Sequence, residues 1–314
     1  MDKNREEKML AIGESIHVIS PRVRAAIEGR EKTFLQELAL KQVAGGAQML
    51  DLNIGPQKKA GPEVMAWMVE IIQEVTDVPL SLDTTNAAAI EAGLKGVKRK
   101  ALINSTDATP QRIEALMPLA AKYNAGIIAL TLAATGLPTT ADARIQLASE
   151  CIFPACERYG IPMEDLYLDP LVLTVNGNQD QALATIEAVR FFKQMTDPPP
   201  KSVCGLSNIS NGAPNELRPL INRVFLLMMM GAGLDSAIMD TLDAETMEAL
   251  RVVEARDTGT PKGRLYLAIY DAYSRGESFD PSGFDLQDPQ TRDILRTVQM
   301  LENRFLYAHG YLRV

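Results

Sequence analysis

The sequence predicts an α/β protein: a (β/α)8 TIM barrel with a C-terminal helical extension. Short apolar runs alternate along the chain with longer segments of helical period, which is typical of a parallel sheet with crossover helices. Eight such units can be counted, and eight is the number that closes a parallel sheet into this barrel. At 314 residues the chain exceeds the ~250 that α/β barrels commonly use, which leaves room for an appended segment.

The predicted strands are the short apolar runs at residues 9–12, 49–54, 80–83, 101–105, 126–132, 166–169, 203–206 and 235–239. Turn-forming pairs mark several of their boundaries. Gly55-Pro56 and Asp169-Pro170 follow two strands, and Gly45-Gly46 precedes the second one. Each run is therefore bounded as a separate strand.

The predicted helices that follow these strands lie at residues 34–44, 63–75, 87–95, 110–123, 141–159, 181–195, 218–230 and 264–274. Pro62 and Pro110 fall near first turns, where a missing N–H costs nothing, and Thr109 is an N-cap candidate. An open doubly wound sheet is the alternative fold. It normally carries a glycine-rich phosphate turn after its first strand, and the residues after Gly13 lack glycines at that spacing, which favours the barrel.

We expect the barrel to occupy residues 1–275 and the helical extension residues 276–314, packed on the barrel or on a second subunit. The extension begins with a polar stretch at 277–287 and continues as a predicted helix at 289–307. Its apolar positions recur at helical spacing and form one face: Ile294, Val298, Leu301, Phe305 and Leu306.

Charge and composition exclude several classes of function. The net charge is −8 with no cluster of Lys and Arg, so nucleic acid and anionic membranes are poor partners. The longest apolar stretch, 224–230, is far shorter than a membrane span, and the charged first eight residues indicate no secretion signal. Three cysteines fit neither a zinc site nor a disulfide framework, so we expect a reduced, cytoplasmic protein without a metal site.

Polar side chains end nearly every predicted strand, at the edge where barrel active sites lie. They are Glu14, Asp51, Asn53, Asp83, Asn104, Thr131, Asp169, Ser207, Asn208 and Asp240. One such residue is commonly a turn former, but the full set is hard to attribute to turns. Because carboxylates accept hydrogen bonds and amides both donate and accept, the set suits a flat heterocycle with several N–H groups. A single histidine near a strand end, His17, argues against a serine–histidine triad.

Five segments together resemble the pterin-binding methyltransferases, and within them the methyltetrahydrofolate:corrinoid methyltransferases. The segments are LDLNIGP (50–56), LDTTN (82–86), INST (103–106), YLDPL (167–171) and GLSNIS (205–210). The resemblance covers roughly residues 9–275. It implies a TIM barrel, usually dimeric, that exchanges a methyl group between N5 of tetrahydrofolate and the cobalt of a corrinoid.

The same resemblance assigns roles to particular residues. Asp83, Asn104 and Asp169 would form the hydrogen-bonding floor for the pterin ring, and Asn208 would be the catalytic residue that reaches N5. An amide has no pKa near 7, so Asn208 would act through a hydrogen bond that strengthens as charge changes at N5. The further positions that match the folate pocket are Glu14, Asn53, Gly205, Ser207, Asn211 and Arg218.

The resemblance also implies the ligands and partners: tetrahydrofolate or 5-methyltetrahydrofolate as substrate, and a corrinoid carried by a separate protein. The corrinoid-binding signature Asp-x-His-x-x-Gly is absent from the sequence, so the chain is not expected to hold the corrinoid itself. O-demethylation and the acetyl-CoA pathway both fit, and the segment beyond Gly276 favours demethylation. The alternatives are a dihydropteroate-synthase-like enzyme, whose seventh strand would resemble Gly-x-Ser-Arg-Lys, and a non-catalytic folate-binding scaffold.

Overall fold

The computed structural model describes residues 8–134 and 136–313. Within these residues eight parallel strands form a closed barrel, and each strand pairs with its neighbours in chain order. The strands are β1 (Leu10–Gly13), β2 (Met49–Asn53), β3 (Leu80–Asp83), β4 (Leu102–Thr106), β5 (Gly126–Leu130), β6 (Leu166–Asp169), β7 (Lys201–Gly205) and β8 (Ser236–Met239). The predicted fold class is confirmed, with strand ends that differ from the predicted bounds by at most two residues.

Helices surround the barrel on its outer face. They are α1 (Pro21–Glu28), α2 (Lys32–Gly45), α3 (Gly61–Ile72), α4 (Ala87–Gly96), α5 (Pro110–Tyr123), α6 (Ala141–Leu147), α7 (Phe153–Tyr159), the single turn α8 (Val175–Asn178), α9 (Gln181–Phe192), α10 (Arg218–Gly231), α11 (Ala244–Ala255), α12 (Pro261–Ser274) and α13 (Pro289–Leu301). Pro62 and Pro110 lie in first turns, as predicted. Thr109 occupies the N-cap position, but its hydroxyl donates to Asp107 (2.5 Å) instead of capping α5.

Besides the single turn α8, two helices are absent from the predicted set. α1 buries Val23, Ala26 and Ile27 at helical spacing, but this pattern is confined to eight residues. α11 follows β8 directly and is capped by Asp243, whose carboxylate accepts from the N–H groups of Glu245 and Thr246. The prediction of 264–274 as the helix of the eighth unit is therefore wrong, because α12 is a second helix packed beside α11.

The predicted single helix at 141–159 is also wrong in detail. It is divided into α6 and α7 by a π-helical turn at Ala148–Ile152, and the N–H of Phe153 reaches back to the carbonyl of Ala148. Pro154 follows and has no N–H to donate, so a regular α-helical hydrogen-bond ladder is interrupted there.

The C-terminal extension packs on the barrel's own helices through α13. Ile294, Leu295 and Val298 are buried in one cluster with the apolar face of α10. Gln179 anchors the segment that follows, because its side-chain amide donates to the carbonyls of Met300 (2.7 Å) and Phe305 (2.6 Å). The helix ends at Leu301 and not at 307, which leaves the Leu306 side chain 84% exposed.

The barrel interior is apolar in its middle and polar at the carboxyl ends of the strands. Six strands each contribute one buried side chain to the apolar layer: Ile12, Met49, Leu102, Ile128, Tyr167 and Val203. Because side chains alternate along a strand, residues two positions further along β2 and β4 also face inward. These positions hold Asp51 and Asn104, so the polar set lies directly above the apolar layer.

Candidate active site

The strand register brings the polar residues of β2, β3 and β4 side by side. Asp51 lies opposite Ser81, and Asn53 lies opposite Asp83. Asp83 in turn lies opposite Asn104. Leu50 and Leu52, which alternate with Asp51 and Asn53 along β2, point outward into the helix layer. The polar side chains therefore share the interior face.

Asn53 holds Asp83 in place. Its side-chain N–H donates to Asp83 Oδ2, and its Oδ1 accepts from the N–H of Gly55 (3.0 Å). Both ends of the Asn53 amide are therefore engaged within the protein. The arrangement orients the Asp83 carboxyl and occupies only one of its two oxygens.

Asp51 orients the side chain of Asn104 in a similar way. Its Oδ1 accepts from Ser81 Oγ (2.6 Å) and from Asn104 Nδ2 (3.1 Å). The Asn104 amide is thereby oriented, with Oδ1 available as an acceptor and one N–H as a donor. Burial raises the pKa of both Asp51 and Asp83, and the charge of Asp51 raises that of Asp83 further.

Asp169 ends β6 and is 9% exposed. Its Oδ1 accepts from the backbone N–H of Leu171 (2.8 Å). Burial raises the pKa of Asp169 to about 7, against the opposing influence of the Leu171 hydrogen bond and the Arg144 charge. This carboxyl can therefore be either neutral or ionised near neutral pH.

A second polar group lies where β1 and β7 end. Ser207 Oγ donates to Glu14 Oε1 (2.5 Å). Burial raises the pKa of Glu14 to about 7; the Ser207 hydrogen bond opposes this shift and the charge of Asp240 adds to it. Arg218 donates from Nε to the hydroxyl of Ser210 (3.2 Å), in the 3-10 turn that follows β7.

Asn208 lies in this turn and is exposed at the barrel mouth. Its Oδ1 accepts from Asn211 Nδ2 (3.4 Å), and Arg218 in turn donates to Asn211 Oδ1 (3.4 Å). A Cβ atom at Gly205 would lie 3.0 Å from Asn208 Nδ2. The absence of a side chain at 205 therefore leaves the space that the Asn208 amide occupies.

The structure places all the predicted site residues at the carboxyl ends of the strands, in two groups with Asp169 between them. Asn53, Asp83 and Asn104 belong to the β2–β4 group, and the remaining ones are Glu14, Gly205, Ser207, Asn208, Asn211 and Arg218 in the β1–β7 group. Thr131 and Asp240 serve other purposes. The Thr131 hydroxyl donates to the Asp169 carbonyl (3.0 Å), and Asp240 accepts from the Leu242 N–H (3.0 Å) in a turn.

Ser81 and Arg144 contact residues of the site but are not among the candidates predicted from the sequence. Ser81 lies two residues before Asp83, so strand alternation could have identified it as an inward-facing neighbour. Arg144 is fully buried on α6 and acts electrostatically on Asp169. Its segment gives no local indication of that burial, because the contact depends on how α6 packs behind β6.

Two cavities lie at opposite ends of the barrel. One of about 340 Å³ opens beside Glu14, His17 and Asp240 at the mouth. A larger one of about 590 Å³ lies at the amino ends of the strands and is lined by residues that include Tyr167 and Lys201. Of these two cavities, the one at the mouth contains a candidate site residue, Glu14. In residues 8–134 and 136–313, no three His, Cys, Asp or Glu side chains are grouped to hold a metal ion.

A closed parallel barrel with carboxyl and amide side chains at the carboxyl ends of its strands defines the class: an (β/α)8 barrel with a polar site at its mouth. The model of the pterin binding enzyme family matches residues 27–240, more than half of the chain. The protein belongs to the pterin binding enzyme family, and this part of the prediction from sequence is confirmed.

Relatives of known function are similar over most of the chain. The methylcorrinoid:tetrahydrofolate methyltransferase of Eubacterium limosum is 29% identical over 252 residues, covering 79% of this chain and 90% of that protein. The methionine synthase of Mycobacterium leprae is 29% identical over 245 residues, covering 75% of this chain. The chain spans only 20% of the length of that methionine synthase.

Solved structures with the same fold include dihydropteroate synthases. That of Xanthomonas albilineans has a TM-score of 0.61 at 18% identity and covers 81% of this chain and 95% of its own. That of Yersinia pestis has a TM-score of 0.57 at 19% identity, with coverages of 80% and 94%. At this level of identity the likeness supports the fold alone.

Proposed function

We propose that the protein is a methyltransferase that exchanges a methyl group between N5 of tetrahydrofolate and the cobalt of a corrinoid. One observation carries the proposal. Asp83, Asn104 and Asp169 converge at the barrel mouth, where the residues around them already orient each side chain. The Eubacterium limosum relative, matched over 90% of its length, is a methylcorrinoid:tetrahydrofolate methyltransferase by name and supports the same reaction.

The three side chains suit the edge of a pterin ring, which combines N–H donors with oxygen and nitrogen acceptors. Asn53 occupies Oδ2 of Asp83, and Leu171 occupies Oδ1 of Asp169, so each carboxyl keeps one oxygen for the ring. Asn104 can accept and donate at once. A site whose buried polar groups match a ligand rejects analogues that leave those groups unpaired.

Asn208 is the proposed catalytic residue. Asn211 donates to its Oδ1, so the Asn208 N–H group is the part that can donate to a nitrogen of the bound ring. A donor of this kind supports N5 as its bonding changes, through a hydrogen bond that is stronger in the transition state than in the ground state. Its exposure at the mouth leaves N5 open to a second reactant that approaches from solvent.

A separate corrinoid protein is the proposed partner. When it is docked, its corrinoid accepts or delivers the methyl group at cobalt. The mouth carries large exposed apolar side chains on three loops that follow β1, β5 and β8: Ile19, Leu137 and Leu242. Exposed apolar residues around a polar site are typical of a surface that meets another protein.

O-demethylation and the acetyl-CoA pathway both use this half-reaction, and the identity of the corrinoid partner distinguishes them. We propose further that the protein is a cytoplasmic homodimer, which size-exclusion chromatography with light scattering tests directly. None of the helices in the described residues combines the length and apolar character needed to cross a bilayer.

Dihydropteroate synthase chemistry is the second candidate, because the solved structures cited above share the fold. The turn after β7 disfavours it. Ser207 is followed by Asn208 and Ile209, where that enzyme would need a basic pair to meet a pyrophosphate.

The decisive experiment mixes the purified protein with 5-methyltetrahydrofolate and free cob(I)alamin under strict anaerobiosis and follows the loss of Co(I) absorbance. Conversion to methylcobalamin supports the proposal. For a variant at Asn208, the exposed amide Gln194, two residues beyond the end of α9, offers a matched control, and Gln194→Ala should convert at the wild-type rate. If folate binds but neither free cob(I)alamin nor purified corrinoid proteins are methylated, the non-catalytic scaffold is correct instead.

A further inference from the structure

Arg144 is a charged side chain enclosed entirely by protein. It is 0% exposed on α6, and its guanidinium donates to three oxygens. Nε donates to the Pro170 carbonyl (2.5 Å), Nη1 to the Thr140 carbonyl (3.1 Å) and Nη2 to Gln181 Oε1 (3.2 Å). Burying a cation is costly unless hydrogen bonds and an opposite charge compensate it. The acidic group whose charge acts on Arg144 is Asp169.

The Pro170 carbonyl and the Leu171 N–H belong to the same peptide unit. Arg144 therefore binds the oxygen of a peptide whose N–H donates to Asp169 Oδ1 (2.8 Å). Leu171 has a φ of +62°, a left-handed conformation that costs a leucine about 1–2 kcal/mol. Hydrogen bonds on both sides of the Pro170–Leu171 peptide compensate that cost and fix the plane of the peptide.

We propose that Arg144 is a positioning residue for Asp169, acting through the Pro170–Leu171 peptide and through its charge. It holds the turn that directs one Asp169 oxygen inward, and it stabilises the ionised carboxylate that accepts a ring N–H. The inference rests on the proposed pterin binding and extends it to a residue outside the pocket.

Hydrogen bonds in series polarise one another, so a guanidinium on the peptide oxygen makes the Leu171 N–H a stronger donor. A stronger donor stabilises the charged form of Asp169 more than the neutral form. The direct attraction between the two charges acts in the same direction. Loss of Arg144 should therefore make Asp169 harder to ionise.

The groups that face Asp169 allow its titration to be isolated. Arg144 approaches from α6 and Cys204 from β7. Burial and the nearby carboxylates raise the pKa of the Cys204 thiol far above its usual range, so that thiol stays neutral near pH 7. Glu14 also has a pKa of about 7, which is why an Asp169→Asn variant is needed to assign the transition.

The first experiment measures the dissociation constant of 5-methyltetrahydrofolate by calorimetry between pH 6 and 9. We expect wild-type affinity to rise with pH through a midpoint that Asp169→Asn abolishes. Arg144→Gln should raise the pH of that midpoint by about 1 unit or more. Arg144→Lys, which keeps the charge, should return the midpoint most of the way to its wild-type pH. A midpoint in Arg144→Gln within about 0.3 units of wild type would overturn the proposal.

A second measurement uses the wild-type protein and needs no variant to fold. The amide resonance of Leu171, followed by NMR in the ligand-free protein, should titrate with the Asp169 carboxyl that it contacts. An amide shift that is flat between pH 5.5 and 8.5 overturns the relay. Because this readout contains no folate, it separates failure of the relay from failure of the proposed function.

Discussion

Replacing Asp169 with asparagine should make the protein less sensitive to alkaline pH while weakening its binding of folate. The side chain is 9% exposed, and its pKa is about 7 in the folded protein against an ordinary value of 3.8. A carboxyl whose pKa is higher in the folded than in the unfolded protein makes its full contribution to stability when the pH is below the unfolded pKa. That contribution is lost as the pH rises through the pKa of the folded protein. Asparagine keeps an oxygen for the Leu171 N–H and never ionises.

The size of the effect follows from the two pKa values. Keeping Asp169 in its buried position costs the folded state about 2 kcal/mol at pH 5 and about 4 kcal/mol at pH 8. Between these pH values the wild type should therefore lose about 2 to 3 kcal/mol of stability relative to the Asp169→Asn variant. At pH 8, where the wild-type carboxyl is ionised, the variant should bind 5-methyltetrahydrofolate about 1–3 kcal/mol more weakly, because a ring N–H loses its charged acceptor. This difference in affinity should shrink toward pH 5, where the wild-type carboxyl is neutral.

Urea denaturation at pH 5 and pH 8, followed by fluorescence and circular dichroism, measures the first effect. Asp257→Asn is a matched control, since that exposed carboxylate accepts from the N–H two residues ahead (2.8 Å) just as Asp169 does. The control should keep the wild-type pH dependence. Identical pH dependences for wild type and Asp169→Asn would show that Asp169 is not a buried, hard-to-ionise carboxyl, and the reasoning would fail.

Three further outcomes are expected. Asn208→Ala should keep folate affinity within a modest factor but lower kcat for methyl transfer about 10²–10³-fold. The two quantities are measured separately, and an equal loss of affinity and kcat would refute its catalytic role. Gly205→Ala should fold normally and lower kcat about tenfold, because its new Cβ displaces the Asn208 amide; an unchanged kcat would show that the contact is irrelevant. Ile19→Ser combined with Leu242→Ser should slow transfer with a protein-bound corrinoid and leave free cob(I)alamin turnover unchanged, whereas equal effects on both would exclude a docking role.

Local sequence patterns were sufficient for the strands and for most of the helices. The apolar runs that became β2 and β6 are short, bounded by turn residues and spaced for crossover helices. The predicted set omits α11, although Asp243 caps it and the buried Met247, Leu250 and Val253 lie at helical spacing. The helical pattern of α12, later in the chain, takes its place as the helix of the eighth unit in that prediction. The predicted end of α13 is misplaced although Asn303 adopts the left-handed conformation (φ of +58°) that commonly ends a helix. Contacts of Gln179 with Met300 and Phe305 hold the segment that follows out of the helix.

The sequence by itself determined the barrel, the family and the polar residues at its mouth, since each of these depends on residue types at regular spacing. Only the tertiary structure decided how those residues pair. Asn53 with Asp83 and Ser207 with Glu14 are joined across 30 and 193 positions of the chain, and the pairing depends on strand register and barrel closure. The part played by Arg144 is of the same kind. A buried guanidinium behind Asp169 exists only because α6 packs against the turn after β6, and that contact gives no periodic pattern in the sequence.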